Sequence, residues 1–320
     1  MRKLKVLSLF SGIGAFEEAL DNTNREYELI NYCEFEDYIS KAYSLIRNVS
    51  KDLNLGDITK VDEKNLENFD LMTYGFPCQD ISALGNQMGL YNEDGNLTRS
   101  GLFFEAMRIA KYKRPKYMIA ENVRALVSNP MKDNYDSMIK LLDGLGYNTY
   151  VKVLNSKDFK IPHSRNRVFM VSIRKDVDNE IGFQFPNKKE LTIKASDLYD
   201  IGNISNEFYL EENHYKYFSD FRLKKKYSSL NSDILVCMTT KQGQKSNPQN
   251  FIKDSKGYRI LTDGEYFAFQ GFKKKYGKLL RDNGFTTSQI GYMCGNSITV
   301  TVLENIFDEL YRQYIDNDKE

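Results

Sequence analysis

Three short segments carry side chains fit for covalent chemistry. In Gly75-Phe76-Pro77-Cys78-Gln79 a cysteine follows a bend punctuated by Gly and Pro, and in Ala120-Glu121-Asn122-Val123 a carboxylate ends an apolar run. Arg165-Asn166-Arg167 sets two guanidinium groups at alternate positions, so that in an extended chain both point the same way. A thiolate is an intrinsically strong nucleophile, while a carboxyl group can hand over a proton and a guanidinium can grip a carbonyl or an anion. Singly, each has an ordinary reading: free cysteines are usually buried structural thiols, Asn122 would cap a helix beside an exposed Glu121, and the arginines would be a solvated pair.

A fourth segment offers a binding site. Phe10-Ser11-Gly12-Ile13-Gly14 is a glycine-bearing turn where backbone can approach a ligand, although such turns also serve only to pack a helix closely. Glu34 follows about 20 residues later, at the end of a second apolar run, where doubly wound folds hydrogen-bond a ribose. Gly56-Asp57-Ile58 adds a further carboxylate. A dinucleotide would want three glycines and a phosphate at the helix N-terminus, which Glu17 and Glu18 oppose. An adenosine ligand without phosphates suits the site better.

These segments need a scaffold that brings them together. Apolar runs at 5–10, 28–35, 70–74, 116–120 and 168–173 read as strands, and helical spacing recurs at 39–46, 102–112 and 135–145. Alternation of this kind predicts an α/β fold with a doubly wound, mostly parallel, Rossmann-like sheet whose strand ends carry all four segments. Beyond about 175 the periodicity weakens and Asn, Ser, Lys and Tyr accumulate, before helical spacing returns at 262–269 and 297–314. The stripe Ile298, Val302, Ile306 and Leu310 must bury against something. The main domain is therefore expected over 1–175 plus 285–320, with a small inserted domain and hinge at 176–284.

Composition limits the partners. Among 320 residues, Lys+Arg total 45 and Asp+Glu 44, a net charge of +1, so an anionic partner must meet a local patch. Lys224-Lys225-Lys226-Tyr227 and Phe272-Lys273-Lys274-Lys275-Tyr276 could track phosphates, or could be solvated surface. No apolar run of about 18 residues would span a bilayer, and the N-terminus reads as a strand rather than a secretion signal. Cys33, Cys78, Cys237 and Cys294 are widely spaced, with His163 and His214 the only histidines, so neither a disulfide framework nor a metal site is expected and a reducing cytoplasm fits.

In this order the segments closely resemble the cytosine-C5 DNA methyltransferases of bacterial restriction-modification type, from Leu9 to the final helix. Leu9 to Gly14 is similar to that family's cofactor turn, 75–79 to its nucleophile loop, Glu121-Asn122-Val123 to its acid and Arg165-Asn166-Arg167 to its arginine pair. Arg259-Ile260-Leu261-Thr262 through Glu265 to Gln270-Gly271-Phe272, then Gln289-Ile290-Gly291 and Gly295-Asn296-Ser297, resemble its closing motifs. The resemblance implies a class I methyltransferase fold with target recognition in 176–284. It implies S-adenosyl-L-methionine as donor, S-adenosyl-L-homocysteine as product and no metal. Phe10 would pack on adenine, Glu34 hold the ribose hydroxyls and Asp57 meet the adenine amine. Ser11, Gly12, Gly14, Phe35, Ile58, Pro77, Leu102, Asn296 and Ser297 would line the rest.

By the same resemblance, Cys78 would add to C6 of a flipped-out cytosine, Glu121 would contact N3 and the amino edge, and Arg165 would hold the base carbonyl or the surroundings of Cys78, with Arg167 the other catalytic member of the pair. The loop 82–99 would close over the base. Gln79, Ser82, His163 and Thr239 are the implied DNA contacts, His163 standing where the family generally has Gln. The expected protein is a monomeric, cytoplasmic, sequence-specific DNA (cytosine-5)-methyltransferase acting on duplex DNA, with a cognate restriction endonuclease as an independent partner. The rivals are a tRNA cytosine-C5 methyltransferase, to one of whose tripeptides Cys237-Met238-Thr239 is similar, and a catalytically silent DNA-binding regulator. A nicotinamide oxidoreductase would rest on the strand-turn-helix-acid pattern alone.

Overall fold

The structure, a computed structural model, describes residues 3–77, 99–211, 232–245 and 250–316. Cys78, Gln79, Ser82, the loop 82–99 as far as 98 and the basic run 224–227 lie outside the described residues.

Strands β1 (Leu4–Leu9), β2 (Tyr27–Cys33), β3 (Leu71–Tyr74), β4 (Tyr117–Val123), β5 (Tyr147–Asn155), β6 (His163–Ser164) and β7 (Asn166–Arg174) follow one another along the chain. All but β6 form one six-stranded sheet in the order β2-β1-β3-β4-β7-β5. The pairings of β1 with β2 and β3, and of β3 with β4, are parallel, while β7 runs antiparallel between β4 and β5. The chain leaves β1 toward β2 on one side and returns as β3 on the other. The connections that leave the paired carboxyl ends of β1 and β3 run to opposite faces of the sheet, toward the helices at Ala15–Asn22 and Phe103–Lys113, which opens the crevice where such sheets bind ligands.

Successive strand residues face opposite layers because the side-chain period is two. Leu71, Ile119 and Val171 join the layer holding α1 (Ala15–Asn22) and α2 (Asp37–Arg47), whereas Met72, Met118 and Met170 join the layer holding α3 (Phe103–Lys113) and α4 (Lys132–Gly144). Burial on both faces explains why these strands read as continuous apolar runs. β5 was not expected from the sequence. It is an edge strand with exposed Asn148, Lys152 and Val153, so its apolar signal is diluted.

The C-terminal part supplies β8 (Leu235–Val236), which pairs with β6, the hairpin β9 (Phe251–Lys253) and β10 (Tyr258–Ile260), and helices α5 (Asp263–Ala268), α6 (Lys275–Asp282), α7 (Thr287–Asn296) and α8 (Val300–Leu310). Capping boxes Thr262/Glu265 and Thr286/Gln289 start α5 and α7. Leu235, Met238, Tyr266, Phe267 and Leu280 share a core with Val6, Val171 and Leu303, while Phe208, Leu210 and Ile260 form a small separate cluster. No described helix is long and apolar enough to cross a membrane. Among the described residues no three His, Cys, Asp or Glu side chains gather as a metal set.

Candidate active site

A cleft of about 500 Å3 opens at the carboxyl ends of β1, β2, β3 and β4. Phe10, Gly12, Glu34, Phe35, Asp57 and Ile58 form one end of it, and Pro77, Leu102, Glu121, Arg165, Arg167 and Asn296 also line it. A smaller chamber of about 70 Å3 is lined by Ser11 and Ser297 together with Phe10, Gly12, Glu121 and Asn296. Twelve of the expected residues that the structure describes therefore share the main cleft, and two more lie beside it.

The turn after β1 is built to stay still. Ser11 donates through its backbone N–H to Cys33 O at 3.0 Å and through Oγ to Ser8 O at 2.9 Å, which ties the turn to the end of β2. Gly14 has φ +81°, and a Cβ there would lie 2.8 Å from Cδ of Arg47, so glycine is required on both counts. Gly14 faces α2, away from the cleft. Gly12 N–H donates to Glu34 Oε2 at 2.9 Å, and Glu36 N–H donates to Glu34 Oε1 at 3.0 Å. A carboxylate thus fills the place that a phosphate takes in a dinucleotide turn.

That replaces the sequence-based reason for a phosphate-free ligand. Glu17 and Glu18 are buried and turned away from the cleft. Burial pushes Glu17 above the usual carboxylate range, and Glu18 is answered by Arg47, Tyr276 and Lys273. Glu34 is also raised by burial, against the pull of the two backbone N–H groups. Asp57 is held below the usual range by the side chain and backbone of Thr59. Cys33, at the cleft wall, donates to Gly56 O at 3.1 Å, and burial pushes its thiol up to about 12, an inert wall group.

The chemical end is set by strand register. Val123 lies opposite Arg167, so Glu121, two residues back on the same face, meets the arginine diagonally. Arg167 Nε sits 3.0 Å from Glu121 Oε1 as an ion pair. Burial nevertheless raises Glu121 above the usual carboxylate range, with Arg167 and Arg165 pulling the other way. Asn122 is no helix cap. It lies inside β4, and its Nδ2 donates to Phe76 O at 3.0 Å, which fixes the chain one residue before Pro77.

Two expected contacts take other roles. Arg165 is fully buried and does not reach out as a carbonyl clamp: Nη1 donates to Met238 O at 2.8 Å, and Nη2 to Gly295 O at 3.0 Å and Ser297 O at 2.7 Å. His163 is enclosed, with Nδ1 3.1 Å from Phe269 O and Nε2 accepting from Met238 N–H at 2.9 Å. Burial and the nearby Arg165 and Arg167 hold its pKa well below the ordinary value, so the ring is neutral, donates through Nδ1 and is closed to DNA in this fold. Thr239 borders neither chamber, and its carbonyl packs against α7. Lys273 and Lys274 of the second basic run pair with Glu18 and Asp200. Sequence reasoning missed Glu36, Ile39, Val123 and Tyr292 on the cleft wall. Glu36, next to the predicted Glu34-Phe35 pair, was within reach of that reading, whereas Tyr292 arrives from α7, far along the chain.

A model of the family described as C-5 cytosine-specific DNA methylase matches residues 4–312. The chain belongs to that family. The methylase is 34% identical over 272 residues to the type II methyltransferase M2.ScrFI of Lactococcus lactis subsp. cremoris, covering 81% of this chain and 71% of the relative. It is 41% identical over 177 residues to the orphan methyltransferase M.Rho11sI of Bacillus phage rho11s, a stretch that spans 55% of this chain and 34% of the relative. The solved structure of the S. pombe Dnmt2 methyltransferase superposes with a TM-score of 0.76 at 20% identity, covering 97% of the methylase and 99% of that chain, which shows a shared fold. The methylase is thus a C-5 cytosine DNA methyltransferase on the central α/β sheet of its class.

Proposed function

We propose that the methylase transfers a methyl group from S-adenosylmethionine to C5 of a cytosine flipped out of duplex DNA, with Cys78 as nucleophile. The observation that carries this reading is the single cleft shared by Glu34, Phe10 and Phe35 at one end and Glu121 and Arg167 at the other, with Pro77, the residue before Cys78, on its wall. The donor set suits a sulfonium nucleoside: Glu34 and Asp57 supply acceptors, two phenylalanines supply apolar surface, and the turn's Gly12 N–H is already engaged by a carboxylate. When bound, S-adenosylmethionine supplies an electrophilic methyl group.

C5 of cytosine becomes nucleophilic only after addition at C6. The Cys78 thiolate forms the C–S bond, and the ring electrons move toward N3 and C5. Glu121, raised by burial and so more readily protonated, donates to N3, while Arg167 beside it steadies the charge at the base carbonyl. After methyl transfer, loss of the C5 proton restores the ring double bond and expels the thiolate. A base within a duplex cannot meet a thiol, so the cytosine must leave the stack, and the region 176–284 is assigned to reading the flanking sequence.

The type II name of the Lactococcus relative supports a protective role beside a restriction nuclease, in the cytoplasm of a bacterial or phage-infected cell. The test is a duplex pool carrying 5-fluorocytosine, where loss of the C5 substituent is blocked. A stable adduct that maps to Cys78 is expected. Normal transfer to unmodified DNA without any adduct on the fluorinated pool would refute the covalent route.

A further inference from the structure

We propose that Arg165 is a positioning residue that couples the cofactor-lining segment 295–297 to the segment 237–239, so that filling the cofactor end of the cleft also fixes the root of the recognition region. This inference rests on the cofactor and recognition assignments made above. Asn296 lines the cleft, and the carbonyls on either side of it, Gly295 O and Ser297 O, both accept from one nitrogen of Arg165. The other terminal nitrogen donates to Met238 O at 2.8 Å. A guanidinium is planar, so its two terminal nitrogens cannot move independently. Whatever fixes the backbone around Asn296 fixes the plane of Arg165, and with it the peptide after Met238.

Two further contacts leave this joint little slack. The Met238 peptide is gripped on its other side by His163, whose Nε2 accepts from Met238 N–H at 2.9 Å. Behind it, α7 presents Gly291 and Gly295 to bare backbone: a Cβ on Gly295 would lie 2.2 Å from Thr239 O, and one on Gly291 would lie 2.6 Å from Gly243 N. Segments this closely apposed shift together. β8, which immediately precedes Cys237, is paired to β6 beside Arg165, so the same joint anchors the strand that leads in from the recognition region.

The experiment is amide hydrogen exchange on the full chain with and without S-adenosylhomocysteine, for the wild type, Arg165→Lys and His163→Gln. Lysine keeps the charge but has a single nitrogen and cannot span the three carbonyls. Glutamine, like the neutral imidazole, offers one donor and one acceptor and leaves the arginine fork in place. In the wild type the ligand is expected to slow exchange in 295–299 and in 237–243 alike. Arg165→Lys should keep the slowing in 10–14 and 295–299 and lose it in 237–243, while His163→Gln keeps all three. A purely structural arginine would instead change the exchange baseline without changing what the ligand does. Slowing in 10–14 of the wild type with none in 237–243 overturns the coupling even if Arg165→Lys fails to fold, as does slowing in 237–243 that survives in that variant. Absence of any slowing in 10–14 overturns the cofactor reading, and the coupling with it.

Discussion

The close apposition of α7 and the segment after β8 makes opposite predictions for the same substitution at two glycines. Neither Gly295 nor Gly144 has a positive φ, so alanine is conformationally acceptable at both, and as a better helix former it contributes up to about 1 kcal/mol. At Gly144, the last residue of α4, an added Cβ meets nothing within 4 Å, and Gly144→Ala should raise stability by roughly 0.5–1 kcal/mol. At Gly295 the Cβ would lie 2.2 Å from Thr239 O and 2.4 Å from Thr239 C, so one backbone must retreat by about 1 Å to reach ordinary contact. Overpacking of that kind costs about 3 kcal/mol at the upper end of its usual range, and the helix gain offsets about 1, leaving a net loss of about 2 kcal/mol. Displacing Thr239 also strains the Arg165 bonds to Met238 O and Gly295 O. Urea unfolding of both variants at one pH reads the difference directly. If Gly295→Ala gains stability as Gly144→Ala does, the backbone-to-backbone packing described here is wrong.

Two further outcomes follow from the site, and one from the buried carboxyl that begins α5. Burial pushes the Asp263 carboxyl up to about 6, so the folded state favours its protonated form: the associated stability is full below the unfolded pKa near 4 and is lost as pH rises through 6. Asp263→Asn should therefore stabilise the chain relative to wild type increasingly between about pH 4 and 7, by at most about 3 kcal/mol, and urea midpoints showing a flat difference would contradict it. Glu34→Gln should weaken S-adenosylhomocysteine binding about 10-fold or more by calorimetry. Because Glu34 is raised, wild-type affinity should begin to fall at a higher pH than an ordinary carboxylate would give, and the variant should lack that dependence. Asn122→Ala frees Phe76 O and loosens the chain before Cys78; single-turnover rates should drop about 100-fold while the cofactor affinity stays unchanged.

Much of this arrangement was legible in the sequence, because the strand-turn-helix entry, Glu34 at the end of β2 and Glu121 on β4 depend on local spacing. The alternation of Arg165 and Arg167 showed that they share a face, but not which of them meets the substrate side. That depends on carbonyls at 238, 295 and 297, which only the tertiary fold delivers. Glu17 and Glu18 were legible as acids near the turn, yet their direction is decided by Arg47 on α2 and Tyr276 on α6. His163 was an implied DNA contact because it stands where the family generally has Gln. Its ring is spent on two backbone groups in the interior. The edge strand β5 was missed because exposed positions dilute its apolar alternation, and α6 because its amphipathic run is only 8 residues long.

The central claim is that Cys78, Glu121 and the cleft at the carboxyl ends of the strands together methylate cytosine in DNA. Transfer of labelled methyl groups from S-adenosylmethionine to unmethylated mixed-sequence duplex DNA, with bulk tRNA in parallel and Cys78→Ser as the blank, tests it most directly. Label in DNA that is recovered as 5-methylcytosine and vanishes in Cys78→Ser is the predicted result. Label confined to tRNA, or label in DNA that persists in Cys78→Ser, would contradict it.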